Sequence, residues 1–116
     1  VAGRQDRSAR VAERIREEVG LLLQKRIKDP ALEPATVTEV TVTADLRCAC
    51  IRYSVLGGEE ERRAAAEGWR RGAGFIRREV ARALGLRFAP ALSFRYDDGL
   101  ERADRVRALL AETRKE

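Results

Sequence analysis

The sequence predicts an α+β fold in which helices cover one face of a three-stranded sheet. Three observations point there. Apolar residues recur at three- and four-residue steps over 8–28 and again after 59, which is helical spacing. Two strand-like runs, 36–43 and 47–56, lie back to back, and a third, 91–96, follows the second helical region. The composition, 44% hydrophobic and 37% charged over 116 residues, suits one folded domain (1–116, core 7–97) with a highly charged surface.

The first helix is expected over 8–28. Ser8 is its N-cap, and Val11, Ile15, Val19, Leu22, Leu23 and Ile27 form one apolar stripe. Asp29-Pro30 ends it, because the residue before proline avoids helical dihedrals. Thr36 to Thr43 is rich in β-branched residues. Its alternation slips between Val37 and Val40, which allows a bulge. After a turn at Ala44-Asp45-Leu46, residues 47–56 alternate cleanly. Ala49, Ile51, Tyr53 and Val55 take one face, and Cys48, Cys50, Arg52 and Ser54 the other.

Gly57-Gly58 ends this strand, and Glu59, Glu60 and Glu61 suit the positive end of a helix. That helix is expected to run to Arg71, burying Ala65, Ala66 and Trp69. Gly72-Ala73-Gly74 should then interrupt it, since each glycine costs roughly 1 kcal/mol against alanine. A further helix, 74–84, carries Ile76, Val80, Ala83 and Leu84 inward and Arg78 and Arg82 outward, with Arg77 flanking the stripe. Phe75 falls near the Arg82 side. It is either an exposed stacking platform between arginines or a ring turned into the core by the kink. Gly85 caps the helix, Pro90 precedes the strand 91–96, and Asp97-Asp98-Gly99 leads into a last helix over about 98–113. If the second and third strands lie parallel, their crossover should be right-handed.

The net charge of +5 is unevenly spread. Residues 62–87 hold eight arginines and two glutamates, a net +6. Residues 1–28 carry +4, residues 29–61 carry −5, and the remainder is neutral. Such a basic block is the footprint of a nucleic-acid binder, although it also suits a solvated helix face. Every cation in it is arginine, which suits phosphate forks and base stacking better than lysine. Lys25, Arg26 and Lys28 form a second patch, with helix-dipole complementation as the competing explanation.

Several classes are disfavoured. The chain has no histidine, so the commonest general base and the usual nucleophile pairs are missing. Cys48 and Cys50 alone cannot close a zinc site, and their spacing is poor for a disulfide. No Gly-rich phosphate loop, signal peptide or membrane-length apolar run occurs. The expectation is a cytoplasmic protein (organellar if a transit segment has been removed), with no cofactor, metal or small-molecule substrate.

The helix-strand-strand-helix-kink-helix-strand order, with a glycine-containing break between two helices, resembles a type II KH-like domain. The break is one residue short of the GXXG loop with which KH folds clamp RNA. A shortened kink of this kind resembles the ribosome-binding factor A family. Several segments carry the likeness: Arg10-Val11-Ala12-Glu13, Leu23 to Pro30, Thr36-Val37-Thr38, Asp45-Leu46, Gly74-Phe75-Ile76-Arg77, Leu84 to Arg87, Pro90 and Phe94 to Asp97. They span about 7–107. The family usually has alanine where this chain has Gly72, and members often carry a longer charged tail, whose contacts are not carried over.

The resemblance implies a bacterial maturation factor that binds the immature small (30S) ribosomal subunit near the neck and decoding region. It implies help with the 5′ region of 16S rRNA, support of growth in the cold, departure before translation, and no catalysis. Arg70, Arg71, Gly72, Ala73, Gly74, Arg77, Arg78 and Arg82 are the expected RNA contacts, with Arg87 at the edge and Lys25, Arg26 and Lys28 as the second patch. The partners expected are the small subunit and its rRNA, with the protein a monomer and no membrane involved. A generic KH-like binder of single-stranded nucleic acid, or a domain whose acidic hairpin and basic helices pair between copies, are the alternatives.

Overall fold

A computed structural model describes residues 2–99. In chain order it contains α1 (Ala2–Lys25), a short 3-10 turn (Pro30–Leu32), β1 (Ala35–Val42), β2 (Cys48–Val55), α2 (Glu59–Leu84) and β3 (Ala91–Tyr96). The expected C-terminal helix lies outside the described residues.

The sheet order is β1-β2-β3. β1 and β2 are antiparallel, with a register shift between Val37 and Glu39 that realises the expected bulge. β2 and β3 are parallel, Ile51 facing Phe94 and Tyr53 facing Tyr96. The alternation of β2 is realised too, because Ala49, Ile51, Tyr53 and Val55 are all buried. They meet Ile15, Val19 and Leu22 of α1 and Ala65, Trp69, Ile76 and Val80 of α2 in one core. Trp69 is a core residue, stacked on Phe94 at 4.8 Å between ring centroids and tilted against Tyr53 at 5.4 Å. Both cysteines are free thiols on the sheet face away from the helices.

Two boundaries differ from the sequence expectation. α1 begins at Ala2, so Ser8 sits inside the helix and does not cap it. Nothing in Ala2–Arg7 breaks a helix, and one glycine costs only about 1 kcal/mol. The helix also stops at Lys25, where the Arg26 and Ile27 N–H groups both close onto the Leu22 carbonyl. Arg26 and Lys28 therefore lie beyond it. Asp29 caps the following 3-10 turn, accepting from the Ala31 N–H at 3.0 Å.

The larger correction concerns the glycine break. α2 is one helix of 26 residues that passes through Gly72-Ala73-Gly74 without interruption. The core explains this. Trp69 before the glycines and Ile76 after them are both fully buried on the same face. Holding both rings of contacts requires continuous helical phase, and tertiary packing outweighs about 2 kcal/mol of unfavourable propensity. The ends behave as expected. Glu61 accepts from the Gly58 N–H at 2.7 Å, and Gly85 (φ 65°) closes the C-terminus with its N–H on the Ala81 and Arg82 carbonyls.

Candidate nucleic-acid interface

The two basic patches of the sequence meet in space. Asp29, just past α1, accepts from Arg71 of α2 twice, from Nη2 at 2.9 Å and Nε at 3.2 Å. Arg26 pairs with Glu79 of α2, and its guanidinium carbon lies 5.1 Å from the centroid of the Phe75 ring. A shallow depression of about 330 Å³ opens between them, lined by Arg26, Ile27, Lys28, Asp29, Gly68, Arg71, Gly72 and Phe75. Phe75 is thus neither fully buried nor free. It packs on the core edge and shows the depression a ring already covered by Arg26.

The remaining expected residues divide by role. Arg82 donates to Glu79 at 2.6 Å and Arg70 to Glu67 at 2.8 Å. The Arg70–Glu67 pair is solvent-exposed on both sides, and such pairs are worth about 0–1 kcal/mol, so a phosphate can compete for Arg70. Arg82 is exposed too, but its partner Glu79 is mostly buried and shared with Arg26. Lys25, Lys28 and Arg78 have no ion-pair partner among the described residues. Lys25 lines a larger groove of about 710 Å³ between α1, the 3-10 turn and the start of β1, which adjoins the depression through Ile27, Lys28 and Asp29. Arg87 lies over the ring of Phe88, at 5.5 Å from its centroid, beyond the end of α2.

Arg77 stands apart. Its Nε donates to the Pro90 carbonyl and its Nη2 to the Ala89 carbonyl, each at 3.1 Å. It ties α2 to the chain entering β3, and this work for the fold takes up two of its five N–H donors.

Gly72 and Gly74 have ordinary helical backbones, so no left-handed conformation demands glycine at either. A β-carbon would meet only Ile76 Cδ1 at 3.7 Å from position 72 and Arg78 Nη1 at 3.4 Å from position 74. What the glycines provide is a bare stretch of helix surface beside the cations. The glycine that packing requires is Gly68, where a β-carbon would stand 2.9 Å from Leu32 Cγ and 3.3 Å from the Ala31 β-carbon. The sequence signal for it was slight: one glycine beside Trp69 in a helical pattern.

Asp29 is an ionisable group on this face. Its carboxyl lies below the ordinary carboxylate value, first through the Ala31 N–H bond and then through Arg71. It stays ionised and holds Arg71 beside the depression.

The sequence model of the family described as "Ribosome-binding factor A" matches residues 7–110. A ribosome-binding factor A from Desulfatibacillum aliphaticivorans is 44% identical over 110 residues, 95% of this chain and 87% of that one. The solution structure of a Thermotoga maritima protein described as a ribosome binding factor A is 29% identical at a TM-score of 0.62, covering 79% of this chain and 84% of that one. A homology model of Thermus thermophilus ribosome binding factor A, fitted into a cryo-EM map of its complex with 30S, shares the fold. It has a TM-score of 0.52 and 23% identity over 69% of this chain and 88% of that one.

Proposed function

The chain belongs to the ribosome-binding factor A family, and we propose that it binds the immature small ribosomal subunit through the cationic face where α1 ends against α2. On this reading it is a non-catalytic RNA-binding assembly factor, monomeric and cytoplasmic, that assists maturation of the 5′ region of 16S rRNA and supports growth in the cold. The observation that carries the reading is the convergence of Arg26, Lys28, Arg71 and Gly72 on one depression from two basic segments far apart in sequence.

The chemistry is electrostatic. Lys25, Lys28 and Arg78 take phosphates first, because no ion pair has to break. Arg70 follows by exchanging an exposed carboxylate for a phosphate, Arg71 and Arg82 by leaving the less exposed carboxylates of Asp29 and Glu79, and Arg87 marks the far edge. The bare helix surface at Gly72, Ala73 and Gly74 lets the RNA backbone come close. Each phosphate neutralised releases counterions, so affinity falls with salt, with a log-log slope of about −0.7 per contact on single strands and −0.9 on duplex.

Co-sedimentation with immature and mature small subunits tests the proposal. The expected result is retention on immature subunits that weakens as salt rises. Absence from both particles at low salt contradicts it. Self-association that falls with salt, without subunit binding, would point instead to pairing between copies.

A further inference from the structure

The loop joining α2 to β3 holds an aromatic ring that the cationic face leaves unused. Phe88 is 77% exposed. Single exposed apolar residues are ordinary on protein surfaces. Phe88 differs in how firmly its neighbours are held. On one side Gly85 and Leu86 close the end of α2 onto the Ala81 carbonyl. On the other, Pro90 is fully buried, and the Ala91 N–H donates to the Arg47 carbonyl at 2.8 Å. Arg77 grips the Ala89 and Pro90 carbonyls. The ring is presented on an anchored loop, with the Arg87 guanidinium over it.

The surroundings select the partner. From Val80 to Tyr96 the chain has Arg82, Arg87 and Arg95 and no carboxylate. Arg71, Gly74, Phe75, Arg78, Arg82 and Gly85 recur at three- and four-residue steps, so one strip of α2 leads from the glycine face to this loop. From Gly74 to Gly85 the strip is roughly 16 Å long at the helical rise. Among the described residues, the other large exposed apolar side chains are on other elements, Leu21 on α1 and Leu56 past the opposite end of β2. A protein partner would call for a contiguous apolar patch. A single ring at the end of a cationic track calls for a polymer that alternates negative charge with flat rings.

Resting on the RNA-binding reading above, we propose that Phe88 stacks on an unpaired base of the bound RNA. Arg87 covers one face of the ring and the base takes the other, while the adjoining phosphates follow Arg82 and Arg78 back along α2. The site therefore selects a single-stranded segment over continuous duplex.

The test measures fluorescence anisotropy of a labelled 12-nucleotide oligoadenylate and of a 12-base-pair RNA duplex across a salt series. Wild type is compared with Phe88→Ala, Phe88→Tyr and Arg78→Ala. The expected results are a loss of about 5- to 150-fold on oligoadenylate for Phe88→Ala with an unchanged salt slope, and near-wild-type binding for Phe88→Tyr. Phe88→Ala should leave the duplex affinity and the melting temperature as in wild type. Arg78→Ala should make the slope on oligoadenylate shallower by about 0.7. On adding oligoadenylate, the Phe88 ring protons should shift upfield in NMR spectra. Wild-type affinity in Phe88→Ala, beside a weakened Arg78→Ala, overturns the stacking role and leaves the RNA reading standing. An equal loss on duplex also overturns it. If Phe88→Ala loses small subunits but keeps oligoadenylate, the ring meets protein and the proposal fails. If wild type binds neither RNA, the stacking proposal falls together with the RNA-binding reading.

Discussion

Two glycines four residues apart in α2 should respond oppositely to the same substitution. Gly68→Ala adds a methyl 2.9 Å from Leu32 Cγ and 3.1 Å from Leu32 Cδ2. Leu32 is only 3% exposed, so it has nowhere to retreat without moving the 3-10 turn. Overpacking of this kind costs about 1–3 kcal/mol, against roughly 1 kcal/mol returned by alanine's helix propensity. The net expectation is a loss of about 0–2 kcal/mol. Gly72→Ala places the same methyl 3.7 Å from its nearest neighbour, an ordinary contact. It should keep most of the propensity gain, about 0.5–1 kcal/mol. Paired urea melts followed by Trp69 fluorescence would read both. For a chain of this size, 1 kcal/mol moves the melting temperature by about 4 °C or slightly more. A Gly72→Ala protein less stable than wild type would refute the argument. It would mean that position 72 needs glycine for the backbone, as a true helix break would.

Four further outcomes follow from the same structure. Arg77→Ala should cost about 1–3 kcal/mol in chemical denaturation, because the Ala89 and Pro90 carbonyls lose a charged donor. Arg78→Ala should leave stability within about 0.5 kcal/mol, since Arg78 is exposed with no ion-pair partner among the described residues. Trp69→Ala should cost about 3–5 kcal/mol in the same assay, because the indole stacks on Phe94 and packs against Tyr53 at the centre of the core. Asp29 should titrate below a free aspartate in an NMR carboxyl titration. Its lowered folded value means that its contribution is complete above the unfolded value near 4 and is lost as pH falls through the folded one. Below that window Arg71 is released and the 3-10 turn loses its cap.

Much of this fold was legible because its signals are local. The alternation of β2 named every inward residue of that strand, and the uneven valines of β1 marked the bulge. Gly85 and the glutamates at 59–61 fixed both ends of α2. The failures came where distant contacts decide. Two glycines read as a break, yet Trp69 and Ile76 clamp the helix from either side. Ser8 had the chemistry of a cap, but nothing before it stops the helix. In the candidate interface, the sequence could mark cations but not their partners. The pairing of Arg71 with Asp29, 42 residues away, and of Arg26 with Glu79, 53 away, separates engaged groups from free ones only once the chain is folded. Arg77 has the same composition and spacing as its neighbours, and only the carbonyls it meets set it apart.

The central claim is that the face joining the end of α1 to α2 carries the contact with ribosomal RNA. Its most direct test is the salt dependence of binding to immature small subunits for wild type and for a Lys25→Ala/Lys28→Ala/Arg78→Ala variant. This variant removes the cations without a fold-stabilising ion pair and spares Arg77. The account predicts weaker binding and a log-log slope shallower by about 2–3, one phosphate per residue. An unchanged affinity and slope, with wild type bound, would contradict it and place the contact on another surface.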